Sequence, residues 1–284
     1  MAASDLEIGR LAAGELADAE ALVSEAGWNQ TAEDWRIFLD LGTVYAIRDG
    51  GRVIATAATL PYGGSFAWIS MVLISGDYRR QGLATRLMER CIADLTAAGL
   101  VPILDATPAG RTVYLGIGFE DSWPLQRMLL REPANLHVEA EPAVQPVTDV
   151  DWNELCAYDA KFFGADRSAM LSHLRGRLPE AEFLVRRDGK IAGFLLGRKG
   201  GRASQIGPLV ADDEDGALAL LDRASRSVAA PVYIDVMDEK TRFIERLKAL
   251  GFVHERPYTR MLHRRRESFQ ELSHTFAVAG PELG

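Results

Sequence analysis

Two short stretches, "YLGIGF" at 114–119 and "LKALGF" at 247–252, close two runs of strand and helix signals that follow the same order. In the first run, residues 6–8 are extended and residues 15–25 carry helical spacing up to Gly27. A second helix is expected at 32–39, with Thr31 as N-cap and Asp34 three residues on. Residues 43–47 and 52–60 read as a hairpin around Asp49-Gly50-Gly51. An apolar strand follows at 66–74, then a helix ending near Gly99, a buried strand at 101–105, a short helix at 108–115 and a strand at 125–130. In the second run a hairpin at 183–187 and 191–198 is followed by a strand at 205–210. A helix at 215–228, a strand at 232–236 and a helix at 240–250 complete it. A repeat of this length and order means two copies of one α/β fold built around a mixed sheet.

The chain has 284 residues, enough for two domains. The expected layout is a first domain at 1–132, a linker at 133–146 marked by three prolines, a second domain at 147–263 and a C-terminal tail at 264–284. Apolar residues make up 48% and charged residues 25%, as in a globular protein. The formal net charge of -8 argues against a nucleic-acid partner. No apolar run approaches the roughly 20 residues of a membrane span, and the start has no basic segment followed by an apolar one. A cytoplasmic protein with no membrane partner is expected. Cys91 and Cys156 are far apart and read as reduced, buried thiols. His137, His173, His254, His263 and His274 show no ligand spacing, so no metal is expected.

"SGDYRRQGLATRLM", from Ser75 to Met88, places two arginines and a glycine where a strand gives way to a helix. A helix start leaves backbone N–H groups unpaired and carries a partial positive charge, so anions bind there. Gly82 lets a ligand approach the backbone, and Ala84 is small for the same reason. Arg79 and Arg80 add forked donors suited to phosphate oxygens. Strand, R-x-x-G-x-A and helix together read as a pyrophosphate cradle.

With "YLGIGF" after the next strand, this segment resembles the GNAT superfamily of N-acetyltransferases, whose signature loop is Q/R-x-x-G-x-G/A. Arg79, Gly82 and Ala84 stand at the signature positions. The resemblance implies acetyl-CoA as co-substrate, its pyrophosphate facing the backbone amides of Arg80, Gln81, Gly82, Leu83, Ala84 and Thr85. It implies that Val72, Leu73 and Ile74 pair with the pantetheine arm, and that Tyr114 protonates the departing thiolate as general acid. Thr107 stands where the family often has an asparagine against the coenzyme. The strand "FAWISMVLI" lacks the family's frequent glutamate base, and Ser70 is its only hydroxyl-bearing residue. Water, Asp105 or a residue of the second half remain as proton acceptors.

The second half departs from this pattern. Asp212, Asp213, Glu214 and Asp215 stand where phosphates would bind and would repel them, and Leu247 replaces the tyrosine. The chain is therefore identified as a tandem-GNAT protein with a degenerate second copy. "YDAKFFGADRSAMLSHL" is similar to the D-x-x-x-F-G-x-D-R stretch of a bacterial tandem-GNAT group. Asp159, Asp166, Asp235 and Asp238 are read as solvated or capping acids, with a cationic amine as the alternative partner. Trp28, Trp35, Phe38, Tyr62 and Trp68 are read as core, with an acceptor pocket as the alternative. "HRRRE" at 263–267 is read as a solvated basic turn, and the tail from Phe276 to Gly284 as a segment able to lie across the site. The expected activity is transfer of acetyl from acetyl-CoA to the primary amine of a small molecule. The amine attacks directly and the thioester carbonyl is polarised near Leu73. The rival reading is a non-catalytic acetyl-CoA sensor. A homo-oligomer is compatible with either.

Overall fold

The capping box read from Thr31 and Asp34 forms: the Asp34 carboxylate accepts from the Thr31 amide at 2.8 Å. The computed structural model in which it is seen describes residues 6–132 and 144–284. Most of the expected linker, 133–143 with His137, lies outside the described residues. By internal contacts the chain divides into two units, one running to Leu104 and including Leu283, the other running from Asp105 to Glu282 with Gly284.

The first unit holds β1 (Ile8–Arg10), α1 (Leu16–Ala26), α2 (Ala32–Leu41), β2 (Thr43–Asp49), β3 (Arg52–Tyr62), β4 (Phe66–Ile74), α3 (Leu83–Ala97) and the start of β5 (Val101–Ala106). Strands β1 to β4 form an antiparallel meander, and β5 lies parallel to β4 after the α3 crossover. Helix α3 buries Leu83, Leu87, Cys91 and Leu95, a stripe spaced by four residues. Burial pushes the Cys91 thiol up to about 12 and the half-buried Cys156 up to about 11, so neither is a ready thiolate.

The second unit holds α4 (Pro108–Leu115), β6 (Phe119–Leu130), β7 (Val144–Pro146), α5 (Trp152–Phe163), α6 (Ser168–Leu174), β8 (Phe183–Arg187), β9 (Lys190–Arg198), β10 (Ser204–Ala211), α7 (Glu214–Ser227), β11 (Val232–Met237), α8 (Thr241–Ala249), β12 (Val253–His263) and β13 (Thr275–Ala277). Its strand order is β12-β6-β11-β13-β10-β9-β8-β7. Its core joins Leu220, Leu221 and Ala224 of α7 and Phe243 and Leu247 of α8 to Leu209, Ile234 and Phe276 of the sheet.

Several elements exceed what the sequence announced. Strand β6 runs from Phe119, not 125, because β12 pairs along its whole length, from Val253↔Leu129 to His263↔Phe119, while β11 takes its other edge. Residues 144–146, expected as linker, form the edge strand β7 against β8, a place where Pro146 removes no ladder bond. The tail is folded as well, with β13 seated between β10 and β11.

Candidate functional site

The cradle predicted at 79–85 is built by two turns of unusual hand. Arg80 has φ of 60° and Gly82, the N-cap of α3, has φ of 81°. For Gly82 this conformation costs nothing, whereas a side chain would strain it. No side chain caps α3, the N–H groups of Arg80, Gln81, Gly82, Leu83, Ala84 and Thr85 find no acceptor among the described residues, and the ladder of α3 begins only with the Arg86 amide donating to Gly82. Arg79 and Arg80 are exposed beside them; the Arg79 Nε donates to the Ile74 carbonyl at 3.3 Å.

Two residues that the sequence reading did not assign to the site, Glu25 and Asp49, tie this loop down. The Glu25 carboxylate at the end of α1 accepts from the Gly76 amide, and Asp49 in the hairpin turn accepts from the Tyr78 hydroxyl at 2.7 Å. Inside the loop, the Gln81 side-chain amide donates to the Asp77 carbonyl at 3.0 Å. No local pattern marks Glu25 or Asp49, because their partners come from distant parts of the chain.

The edge expected to meet an extended ligand arm lies just before the cradle. Strands β4 and β5 pair in parallel only at Phe66↔Val101, Ala67↔Pro102 and Trp68↔Ile103. Beyond that point β4 bulges, with Met71 at φ of 52°, and keeps its pairing with β3 alone. Val72, Leu73 and Ile74 thus lie on a stretch of β4 with no strand partner toward β5. Ser70 is buried, and its Oγ has no hydrogen-bond partner among the described residues.

In the second unit, Tyr114 is half-buried on α4 and its ring lies over Gly110, where a Cβ would stand 2.9 Å from the ring edge. Its hydroxyl has no hydrogen-bond partner among the described residues, and burial pushes its pKa up, so the phenol is held protonated. Thr107 is the N-cap of α4 and accepts from the Gly110 amide at 3.2 Å. Asp105 is not a free base. Arg260 of β12 grips it with two bonds of 2.7 Å, both side chains are buried, and the Arg260 guanidinium lies 4.2 Å from the centre of the Trp123 ring.

That pair has a twin. Arg127 of β6 grips Asp235 of β11 with two bonds of 2.8 Å, and its guanidinium sits over the rings of Tyr233 and Tyr258. Counted from Gly118-Phe119 and Gly251-Phe252, Arg127 and Arg260 stand at the same position of the two repeats. Each repeat sends its arginine to a carboxylate of the other. The shared "P-x-x-R-M-L" at 124–129 and 257–262 was the available signal.

The start of α7, counterpart of the cradle, is closed. Asp213 caps it by accepting from the Gly216 amide at 2.9 Å and pairs with Arg187 at 2.6 Å. Asp212 accepts from the Tyr158 hydroxyl at 2.8 Å, Glu214 from the Phe243 amide at 3.1 Å, and Asp215 from Arg242 at 2.8 Å. Leu247 is fully buried. The acids offered as amine-binding candidates are likewise engaged: Asp159 with Arg167, Asp235 with Arg127, Asp166 with the Ser168 amide and Asp238 with Gln126. Trp35, Phe38, Tyr62 and Trp68 are core residues, while Trp28 is half-buried. In the basic turn, Arg265 lies 4.3 Å over the Phe269 ring and Arg266 pairs with Glu120 at 2.7 Å.

No helix among the described residues is long and apolar enough to cross a membrane. Residues 15–116 match the Acetyltransferase (GNAT) family, and residues 155–277 match the Acetyltransferase (GNAT) domain. An uncharacterized N-acetyltransferase of Bacillus subtilis, YitH, is 24% identical over 266 residues, 93% of each chain. A holothin acyltransferase of a Pseudoalteromonas species is 25% identical over 235 residues, 81% of this chain and 78% of its own. Among solved structures, a candidate acetyltransferase of Pyrococcus horikoshii superposes with a TM-score of 0.79 at 21% identity, over 98% of this chain and 96% of its own. The tandem GNAT protein from the clavulanic acid biosynthesis pathway gives 0.65 at 15% identity, over 93% of this chain and 100% of its own.

Proposed function

Because the chain belongs to the GNAT acetyltransferases, with one such domain in each half, we propose that its first copy moves an acetyl group from acetyl-CoA to the primary amine of a small acceptor. The observation that carries this reading is the run of six backbone N–H groups, Arg80 to Thr85, left without acceptors at the start of α3. Such a run is suited to pyrophosphate oxygens. Arg79 and Arg80 supply charge beside it, Gly82 lets the phosphates come close, and Thr107 lies at the start of α4 as a lesser contact. The stretch at Val72, Leu73 and Ile74, paired with β3 and not with β5, takes the pantetheine arm as an added strand.

The acceptor's nitrogen attacks the thioester carbonyl directly, and an amide near Leu73 polarises the oxygen as negative charge develops. Carbon–nitrogen bond formation and carbon–sulfur bond cleavage release a thiolate. Tyr114 gives that sulfur its proton, work that a phenol held protonated can do. Cys91, buried within α3, offers no covalent route. With Asp105 engaged by Arg260, the amine's proton leaves through water. That same engagement favours a second reading, a coenzyme-binding sensor without turnover.

Calorimetric titration with acetyl-CoA, followed by a panel of amines, separates the readings. One site per chain with transfer to any amine supports the enzyme. One site with no transfer to the panel supports the sensor, and no binding removes both.

A further inference from the structure

In each copy two parallel strands part after three residue pairs. Strand β10 meets β11 at Ser204↔Val232, Gln205↔Tyr233 and Ile206↔Ile234, and its pairing with β9 then shifts register before Leu209. On that shared register, Leu209 and Val210 fall where Met71 and Val72 stand in the first copy. In the first copy, among the described residues, β4 has only β3 and β5 as strand partners. In the second, the gap holds a strand of the chain itself. β13 pairs with β10 at Leu209↔Ala277 and Val210↔Thr275, with β11 at Val236↔Ala277, and the Val278 amide donates to the Asp235 carbonyl at 3.0 Å.

The fit is specific. Gly207 stands where the Val278 carbonyl passes, and a Cβ there would lie 2.2 Å from that oxygen. Phe276 packs on Phe243 with ring centres 5.5 Å apart, and Phe276 to Ala279 are buried. The D-x-x-x-F-G-x-D-R element, unexplained by acetyl transfer, meets the chain on both sides of that strand at three points, at Phe269, Glu271 and Gly284. Arg167, paired with Asp159 at 2.7 and 2.8 Å and stacked 3.8 Å from the centre of the Phe163 ring, donates to the Gly284 carbonyl at 2.9 Å. A Cβ on Gly164 would lie 2.1 Å from the Phe269 carbonyl oxygen. The Phe162 carbonyl accepts from the Glu271 amide at 2.7 Å. Arg198 adds a buried pair with Glu282 and a bond to the Ala279 carbonyl.

We propose that the gap between β10 and β11 is a receptor for an extended peptide strand, filled in cis by residues 275–279, and that the element at 159–167 is its clamp. The second copy has exchanged a coenzyme arm for a peptide, which main-chain pairing recognises equally well. The proposal stands whether or not the first copy transfers acetyl groups.

A specific protease site placed after the exposed Glu267 tests it in the full chain. After cutting, the 268–284 fragment is expected to stay bound through gel filtration and to exchange for a labelled synthetic 268–284 peptide, read by anisotropy. Arg167→Met should weaken that peptide at least tenfold, and a scrambled peptide should not bind. Release of the fragment with the amides of Val232–Met237 still protected would overturn the proposal, as would equal binding of the scrambled peptide. Should cutting unfold the second unit, hydrogen exchange in the uncut Arg167→Met chain decides. Amides 275–278 should exchange at least tenfold faster with β9 unchanged, and an unchanged rate at 275–278 overturns the clamp.

Discussion

The starts of α3 and α7 occupy the same place in two copies of one fold and solve the same problem in opposite ways. A helix start has orphan donors that must meet something. At α7 the chain supplies the partners: the Asp213 carboxylate caps the helix and arginines neutralise the acids beside it. At α3 no side chain caps the helix, and six consecutive amides have no internal partner among the described residues. The neighbouring sheet gaps repeat the contrast, one filled by β13 and the other with no third strand among the described residues. A candidate ligand site thus stands out less by its own residues than by what the described chain leaves unfilled beside it.

The comparison can be pressed hardest where the copies should behave alike. Arg127→Met and Arg260→Met each leave a buried carboxylate without its counter-charge, Asp235 keeping only the Gln205 side-chain amide at 2.9 Å, and should each cost about 3–5 kcal/mol in urea unfolding. A cost well below that for either would break the equivalence of the two pairs. Tyr114→Phe should lower turnover about a hundredfold in steady-state assays while acetyl-CoA affinity stays level. Turnover unchanged across pH would remove Tyr114 as acid.

Replacing Arg79 and Arg80 together by alanine should weaken acetyl-CoA binding by about tenfold or more in calorimetry, as lost charge-assisted bonds do. Since both are exposed, the melting temperature should hold. The smallest effect is expected at the closed start. Asp213→Ala should cost about 1 kcal/mol as a lost cap and add no second coenzyme site. The Gly216 amide, and then Arg187, hold the Asp213 carboxyl below its ordinary 3.8. Its stabilisation is therefore complete above that value and is lost as pH falls below it. The wild-type chain should lose this increment in acid, and the alanine variant should show a flatter acid limb in pH-dependent melting.

What could be read in the sequence was what neighbours in the chain decide. The Thr31–Asp34 box, the hairpin turn at Gly50-Gly51 and the strand-to-helix step at Arg79–Gly82 rest on residues within a few positions of each other. What escaped was decided at long range. The first six residues of β6 are strand because β12, more than a hundred residues later, lies along them. Asp105 looked like a free acid until Arg260 was found against it. The tail gave no periodicity because three residues of strand between two others need none. The D-x-x-x-F-G-x-D-R element was visible but mute, since its partners are backbone atoms of a segment with no motif.

The crossed arginine–carboxylate pairs bear on how such a chain can change over generations. Once each repeat holds the counter-charge of the other, neither can be discarded without stranding a buried ion. A duplication fused in this way becomes a single heritable unit. One repeat can then surrender its chemistry to mutation while selection for the shared fold keeps its body intact.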